Sequence, residues 1–361
     1  MSPYLILLII ITGALILLFY ISDVDKGFKL PINELDTRYL SLFTPDQLKQ
    51  SVISNMTDNE LIDDKTNNKV VNEANNKENN EANNEANNRN VNTTIENTGF
   101  EHMKKNRVVL CGLIRDKEDR VVDAVTKMVL LGNYFIDYRI LIVENDSKDN
   151  TRQLLLQYSK NNNKIIILGC GYNEDSCSIN SALSTSKLPD MKRITKMATL
   201  RNLYLDYIRK HYMDYDYMMV IDMDIEGSLY IDGVANSFGH MSLNKDIEAV
   251  GANGLISYQY GLRYYDTLAY TDLGGPLEWN SLNYKKYLDS AAITLKPYSH
   301  GEPMKRVLSC FGGAAIYKID KITRDTNYDY SKNKYSCEHG YFNRHFQMYL
   351  NPSMIYFLLN H

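Results

Sequence analysis

The chain lacks the residue patterns that usually build zinc-binding and nucleic-acid-binding modules. None of its five cysteines falls in a C-x-x-C pair, which argues against a structural zinc site. It has no stripe of lysine and arginine and carries a net charge of −4, so we expect no nucleic-acid partner. Cys170 and Cys177 can pair in an oxidising compartment, but the odd total of cysteines leaves at least one thiol free.

Charge is also missing from residues 4–21, which are almost continuously apolar. A run of this length is just long enough to cross a bilayer as a helix. A cleavable signal peptide is the alternative, but no lysine or arginine precedes the run, and the run is longer than the apolar core of a typical signal peptide. We therefore expect an uncleaved, single-pass transmembrane anchor at residues 1–22.

The next segment, residues 23–104, is predicted to be a stem. Between Asn67 and Asn97 it consists largely of asparagine, glutamate and alanine, and so little apolar surface cannot offset the entropy lost on ordering. We expect most of the stem to be disordered. Lysine and arginine occur after the anchor and not before it, which favours a cytosolic location for the rest of the chain. A Golgi- or ER-type membrane is the alternative.

From Arg107 onward, apolar runs alternate with helical patterns. The runs predict buried strands at Val108–Ile114, Tyr138–Val143, Lys164–Leu168 and Met218–Ile221. Apolar residues at helical spacing predict helices around 121–129, around 154–158 and over 192–212. This alternation indicates an α/β fold with a mostly parallel central sheet and helices on both faces. In such sheets ligands bind at the carboxyl ends of the strands.

After Ile225 the chain becomes rich in tyrosine and glycine, and its pattern is less regular. We predict strands at Glu248–Ser257 and Val307–Tyr317 and a short helix at Phe342–Leu350. Residues 105–361 are therefore expected to form one domain, with a first half at 105–225 and a smaller, mixed half at 226–361.

Asp222 and Asp224 directly follow the strand predicted at Met218–Ile221. Side chains two apart on an extended backbone point the same way, and adjacent carboxylates repel each other unless a cation lies between them. A divalent ion, held by these oxygens together with a substrate diphosphate, is the natural occupant. An exposed turn with two solvated aspartates is the alternative, because Asp-x-Asp alone is a weak motif.

Four features in this order resemble a GT-A glycosyltransferase of Rossmann-like fold. They are a first strand ending near Arg115, the turn Glu144-Asn-Asp-Ser-x-Asp-x-Thr151, the pair Arg201-Asn202 on a helix, and the Asp222-x-Asp224 strand end. Two later segments, Cys310-Phe-Gly-Gly-Ala-Ala and Ser336-Cys-Glu-His-Gly, are similar to fungal capsule-associated mannosyltransferases. Glu144-Asn145 stands where the large inverting family often has two aspartates, so a retaining and an inverting outcome both stay open.

The resemblance implies that Asp222 and Asp224 hold Mn²⁺ or Mg²⁺ against the donor diphosphate, and that a later histidine completes the site. His339 is preferred over His345, and a histidine in the core or at the surface is the alternative for either. Arg115, Glu144, Asp146 and Arg201 are then the predicted nucleotide-sugar ligands. A helix-capping turn also explains Asp146, and a solvated loop cation also explains Arg115.

Arg201 shares a helix face with apolar residues, so its charge needs an anionic partner. Donor phosphate, Asp222 or an ordinary internal carboxylate meets this need equally well. Trp279, the only tryptophan, is an acceptor-site candidate because aromatic faces suit the apolar faces of sugars, whereas core packing is the alternative. An inverting reaction requires a base for the acceptor hydroxyl. Glu338 leads the candidates for this base, ahead of Glu278 and Asp272.

The sequence thus predicts a membrane-anchored, metal-dependent glycosyltransferase. We expect it to transfer a sugar from a UDP- or GDP-sugar to a hydroxyl on a glycan, protein or lipid, with 105–225 binding the donor and 226–361 the acceptor. A nucleotidyltransferase is the nearest alternative, although Gly112-Leu-Ile-Arg-Asp-Lys117 is a poor match to its glycine-rich, basic loop. A catalytically inactive, membrane-tethered protein of the same fold is the other.

Overall fold

The computed structural model describes residues 93–169, 191–258, 261–273, 298–329 and 337–360. The predicted anchor at 1–22, the larger part of the predicted stem, and the two acceptor candidates Glu278 and Trp279 lie outside these residues. Within the described ranges, no helix has both the length and the apolarity that a membrane span requires.

The first half of the described chain builds a parallel sheet with helices between its strands. Its elements are α1 (93–103), β1 (Arg107–Ile114), α2 (Val121–Gly132), β2 (Asp137–Glu144), α3 (Thr151–Asn161), β3 (Ile165–Gly169), α4 (Met191–His211) and β4 (Tyr217–Ile221). β1 lies between β2 and β4, β2 also pairs with β3, and all three pairings are parallel. The four predicted strands and the alternation with helices are confirmed.

The second half extends the same sheet with strands of both directions. Its elements are β5 (Glu226–Leu229), α5 (Ile231–Leu243), β6 (Ala249–Tyr258), β7 (Gly261–Tyr264), β8 (Lys305–Arg306), β9 (Ala314–Lys318), α6 (Glu338–Asn343) and β10 (Met348–Asn360). The strand order is β3-β2-β1-β4-β9-β6-β10-β5, with β7 paired to β6 and β8 to β10. β9 is antiparallel to both β4 and β6. The α/β class is confirmed, and the sheet becomes mixed beyond β4.

Successive residues of the central strands pack into two cores, one on each face of the sheet. In β1, Val108 and Leu110 join the core under α2, α3 and α5, whereas Val109 and Cys111 join the core under α4 and α6. All four side chains are fully buried. A strand buried on both faces has no polar positions to alternate with apolar ones, which is why it appears in the sequence as a continuous apolar run.

The helix predicted at Phe342–Leu350 is wrong. Residue 342 lies near the end of α6, and β10, a strand of 13 residues, begins at Met348. Phe342 and Phe346 have helical spacing because both rings pack against Tyr317. Only the first of them is in the helix, so a shared core contact produced a helical pattern without a helix.

The strand predicted at Val307–Tyr317 is also corrected, since β9 begins only at Ala314. Gly312 and Gly313 precede it with φ of 60° and 87°. These left-handed conformations, which glycine adopts without steric cost, end the extended run that the apolar residues suggested.

Helix α1 lies inside the segment that the sequence assigned to the stem. A Cβ at Gly99 would stand 1.7 Å from the carbonyl oxygen of Ala235 in α5, so the two helices approach backbone to backbone. Met103, at the end of α1, is fully buried. Ordered structure therefore begins before residue 105.

Candidate active site

Asp222 and Asp224 leave β4 at the carboxyl end of the sheet, where the backbone is firmly held. The amide of Asp222 donates to the Gly313 carbonyl at 2.9 Å, and the Tyr356 hydroxyl donates to the Asp222 carbonyl at 2.9 Å. Met223, between the two aspartates, packs into the opposite core, and a Cβ at Gly112 would lie 2.3 Å from its Sδ. The buried Met223 thus leaves both carboxylates on the other side of the chain.

The two carboxylates form an electrostatically unfavourable pair. Burial, followed by the negative charge of Asp224, raises the pKa of Asp222 well above its ordinary value. The Tyr265 hydroxyl donates to Asp222 Oδ2 at 3.2 Å, and Asp224 is exposed. A partly buried and an exposed carboxylate side by side, both oxygen donors, fit a divalent cation such as Mn²⁺ or Mg²⁺ whose remaining ligands come from a phosphate.

Arg201 brings the compensating positive charge from α4. Its Nε donates to Glu338 Oε1 at 3.0 Å, and its terminal nitrogen lies 3.9 Å from Asp222 Oδ1. The guanidinium also lies over the rings of Phe311 and Tyr328, at 5.4 and 5.8 Å. The buried arginine predicted from helical phase therefore has two acidic partners, Asp222 after β4 and Glu338 in α6.

His339 is buried beside this ion pair. Its ring stacks on Phe311 with centroids 4.1 Å apart, and Nε2 lies 3.9 Å from Glu338 Oε1. Burial, and then the positive charge of Arg201, lowers the pKa of His339 well below its ordinary value. Neither ring nitrogen has a hydrogen-bond partner among the described residues.

The described part of the chain contains no group of three or more His, Cys, Asp and Glu side chains arranged to hold a metal. The structure therefore brings Asp222 and Asp224 together but does not add His339 to them. His345 lies beyond the end of α6, half-buried against the ring of Tyr341.

Glu144, Asp146 and Arg115, which were predicted to bind the donor, lie in three different environments. Glu144 is buried, and its two oxygens accept from the Ser147 amide at 2.8 Å and from Arg152 Nε at 2.6 Å. Glu144 therefore stabilises the turn. Asp146 has a left-handed backbone with φ of 61° and lies 3.7 Å from Lys196 Nζ. Arg115 is partly exposed and pairs with its neighbour Asp116 at 3.1 Å.

Asp266 is an acidic residue of this site that sequence reasoning missed. It follows β7 with φ of 62°, and burial together with the charge of Glu338 raises its pKa to about 7, although Arg201 acts in the opposite direction. Its charge also acts on Asp222. The only sequence signal was an aspartate at a strand end in a tyrosine-rich stretch.

Asp272, a predicted base candidate, is exposed and accepts from the Tyr270 hydroxyl at 2.7 Å.

The raised pKa of Asp266 predicts a pH-dependent stability in the metal-free protein. An unfolded aspartate releases its proton near pH 3.9, whereas folded Asp266 keeps its proton up to about pH 7. Its contribution to folding is therefore complete below pH 4 and is lost as the pH rises through 7. We expect D266N to exceed the wild type in free energy of unfolding, by more at pH 8 than at pH 5. Urea titrations in EDTA measure this difference. The exposed control D246N should differ from the wild type in free energy of unfolding by the same amount at both pH values.

Comparisons with known proteins bear on the family and on the fold. The family model described as Cryptococcal mannosyltransferase 1 matches residues 107–342, as the predicted similarity to fungal capsule-associated mannosyltransferases anticipated. No curated protein matches the chain.

Among solved structures, the chain is similar to the mannosyltransferase PcManGT from Pyrobaculum calidifontis in complex with GDP-Man and Mn²⁺, with 10% identity and a TM-score of 0.39. It is also similar to S. aureus TarS 1–349 in complex with UDP-GlcNAc, with 10% identity and a TM-score of 0.37. The alignments cover 71% of this chain in both cases, and 57% and 59% of the other chains. The chain thus spans less than two thirds of the length of these proteins.

Proposed function

This chain belongs to the Cryptococcal mannosyltransferase 1 family, a family of glycosyltransferases, and we propose that it transfers a hexose from a UDP- or GDP-sugar to a hydroxyl acceptor. The acceptor would be a glycan, a protein or a lipid. Residues 1–22 would anchor the enzyme in a membrane, because they form an uncharged apolar run long enough to span it.

The observation that carries this proposal is the carboxylate pair at the end of β4. Asp222 and Asp224 would hold the divalent ion. Burial, and then the charge of Asp224, already raises the pKa of Asp222, and a cation would relieve the repulsion between the two carboxylates. When bound, the ion neutralises the charge that develops on the departing nucleoside diphosphate. The pair lies at the carboxyl edge of a parallel region, where α/β folds bind their ligands.

Around this pair, the protein's own residues supply positioning and proton transfer. Arg201 orients Asp222 from 3.9 Å and is itself held by Glu338, so Glu338 serves the site through that ion pair. Asp266 has a pKa of about 7, close to the value that suits a group exchanging protons at neutral pH. It is therefore the acidic side chain of the described site best suited to act on an acceptor hydroxyl.

Metal-dependent breakdown of a donor tests this function. The purified full chain, in detergent, is incubated with GDP-mannose, UDP-glucose or UDP-N-acetylglucosamine, and release of the nucleoside diphosphate is measured with Mn²⁺ and with EDTA. We expect release from one nucleotide class, dependent on the metal. A folded protein that releases no diphosphate from any donor would contradict the proposal.

The same preparation separates the alternatives. A nucleotidyltransferase would instead form pyrophosphate from a nucleoside triphosphate and a sugar 1-phosphate, and it would leave the nucleotide sugars intact. A catalytically inactive protein of the same fold would release no nucleoside diphosphate and would form no pyrophosphate.

A further inference from the structure

Strand β10 contains an insertion that its neighbour β6 does not match. Residues 348–351 of β10 pair in register with 249–252 of β6, and the next pair joins Ile355 to Asn253. Residues 352–354 therefore have no partner on β6. Without them Ser353 would stand opposite Gly254, whereas the insertion brings Tyr356 to that position. Irregularities of this kind often redirect a side chain near a functional site.

Buried polar groups hold the insertion against α5. The Asn351 amide nitrogen donates to Asn236 Oδ1 at 3.0 Å and to Ser237 Oγ at 2.8 Å, and Asn351 Oδ1 accepts from the Ser353 amide at 2.9 Å. A Cβ at Gly233 would lie 2.1 Å from the Ser353 carbonyl oxygen, so α5 and the insertion meet backbone to backbone. Buried networks of this kind specify one arrangement, which fixes the position of the strand that follows.

Tyr356 reaches the proposed metal site from this strand. Its hydroxyl donates to the Asp222 carbonyl at 2.9 Å, although β9 and β6 separate β4 from β10 in the sheet. The ring uses space that a glycine leaves free, because a Cβ at Gly313 would lie 2.5 Å from the ring carbon Cδ1. Further along, β10 pairs with β5, which begins two residues after Asp224. β10 thus holds both ends of the turn that carries the two carboxylates.

Packing alone leaves this turn room to shift. A cavity of about 30 Å³ lies against it, on the face of the sheet that Tyr356 shares with Met223. Both side chains line the cavity, together with Asp222 and residues of α2. Groups beside a void lose attractive contacts on that side. The hydrogen bond from Tyr356 is therefore a restraint on Asp222 that packing on this face does not supply.

We infer that Tyr356 is a positioning residue for the proposed metal site, and that the insertion in β10 directs it to Asp222. This inference rests on the proposed function, because it concerns the carboxylates assigned there to the divalent ion. Tyr356 acts through the backbone of Asp222 and is not itself a ligand. Removing a group that orients a metal ligand in this way typically weakens metal binding by about 10- to 100-fold.

Mn²⁺ binding to Y356F tests the inference. The substitution removes one hydroxyl and keeps the ring, so we expect a folded protein whose Mn²⁺ dissociation constant is about tenfold higher than that of the wild type. Calorimetry on the full chain in detergent measures the constant. The electron paramagnetic resonance spectrum of the bound Mn²⁺ should also change, because the orientation of its ligands changes.

The matched control is Y217F. Tyr217 begins β4, the strand that leads to Asp222, and its ring packs into the same core as Tyr356. Its hydroxyl forms a hydrogen bond with His102 Nε2 at 2.7 Å. Y217F therefore also loses a tyrosine hydroxyl bond, but at the amino end of the strand. It should bind Mn²⁺ with the wild-type constant.

Initial rates over a range of Mn²⁺ concentrations separate positioning from general damage. If Tyr356 acts through Asp222, Y356F should need about tenfold more Mn²⁺ for its half-maximal rate and should approach the wild-type kcat at saturating Mn²⁺. A purely structural role would instead lower kcat and leave the half-saturating concentration unchanged.

Hydrogen exchange of the wild type measures the same coupling without any variant. Coupling between two sites is reciprocal, so Mn²⁺ should slow amide exchange in residues 352–358 by about twofold or more. None of these residues is a proposed ligand. Helix α3 is the internal control, and its exchange should change less.

Three results would overturn the inference while the proposed function stands. They are a wild-type Mn²⁺ constant in Y356F, an equal weakening in Y217F, and exchange in 352–358 that does not respond to Mn²⁺. If the folded wild type itself binds no Mn²⁺, the proposed metal site fails and the positioning role fails with it.

Discussion

D222N and D224N are each expected to lower kcat/KM for sugar transfer about a thousandfold, because the metal's contribution of several kcal/mol corresponds to roughly that factor. Each substitution replaces a carboxylate of the proposed metal site by an amide of the same shape. Initial rates over a range of Mn²⁺ concentrations, with calorimetric Mn²⁺ affinity, provide the measurement. The control is D214N, the same chemical change at the other end of β4, where the carboxylate is exposed.

Loss of folding does not account for the expected loss of activity at Asp222. Burial and the charge of Asp224 raise the pKa of Asp222 well above its ordinary value, so the metal-free protein is destabilised by its ionised form. D222N removes that charge and should leave the melting temperature of the apoprotein unchanged or higher. A variant that keeps normal rates and normal Mn²⁺ affinity would show that this pair does not hold the metal.

The first half of the fold could be predicted because each central strand is buried on both faces. Leu110 and Cys111 enter opposite cores, so every position of β1 after Arg107 is apolar and the strand is obvious in the sequence. In β10 this signal fails. Polar residues such as Asn351 and Ser353 are buried there, and the pairing with β6 shifts register between residues 351 and 355. No local pattern identifies a strand whose polar groups are satisfied by distant elements.

The candidate site likewise contains residues that could be recognised in the sequence and residues that could not. Asp222 and Asp224 follow an obvious strand, and the helical phase of Arg201 showed that its charge is buried. Asp266 and Lys196 could not be recognised, because each is an ordinary charged residue in the sequence. They become significant only in the folded protein, where the charge of Glu338 acts on Asp266 and Lys196 lies 3.7 Å from Asp146.

Removing the charge of Arg201 is expected to produce the largest loss of stability. R201M leaves Glu338 buried without its partner and takes the positive charge away from Asp222. Breaking a buried ion pair in this way costs about 3–5 kcal/mol. E338Q should cost less, because Arg201 then keeps Asp222 at 3.9 Å. Equilibrium denaturation in urea measures the free energy of unfolding of each variant.

The double variant R201M/E338Q decides whether the loss comes from the unpaired charge or from altered packing. Arg201 also lies over the rings of Phe311 and Tyr328, and methionine retains much of that contact. If the uncompensated carboxylate of Glu338 is the cause, the double variant should be more stable than R201M. It should not reach the wild-type value, because Asp222 still lacks the positive charge of Arg201. A double variant no more stable than R201M would assign the loss to packing. The exposed pair of Arg107 and Asp214 is the control, where R107M should cost less than about 1 kcal/mol. A buried cation that joins Asp222 to Glu338 thus makes the fold and the proposed chemistry depend on the same side chain.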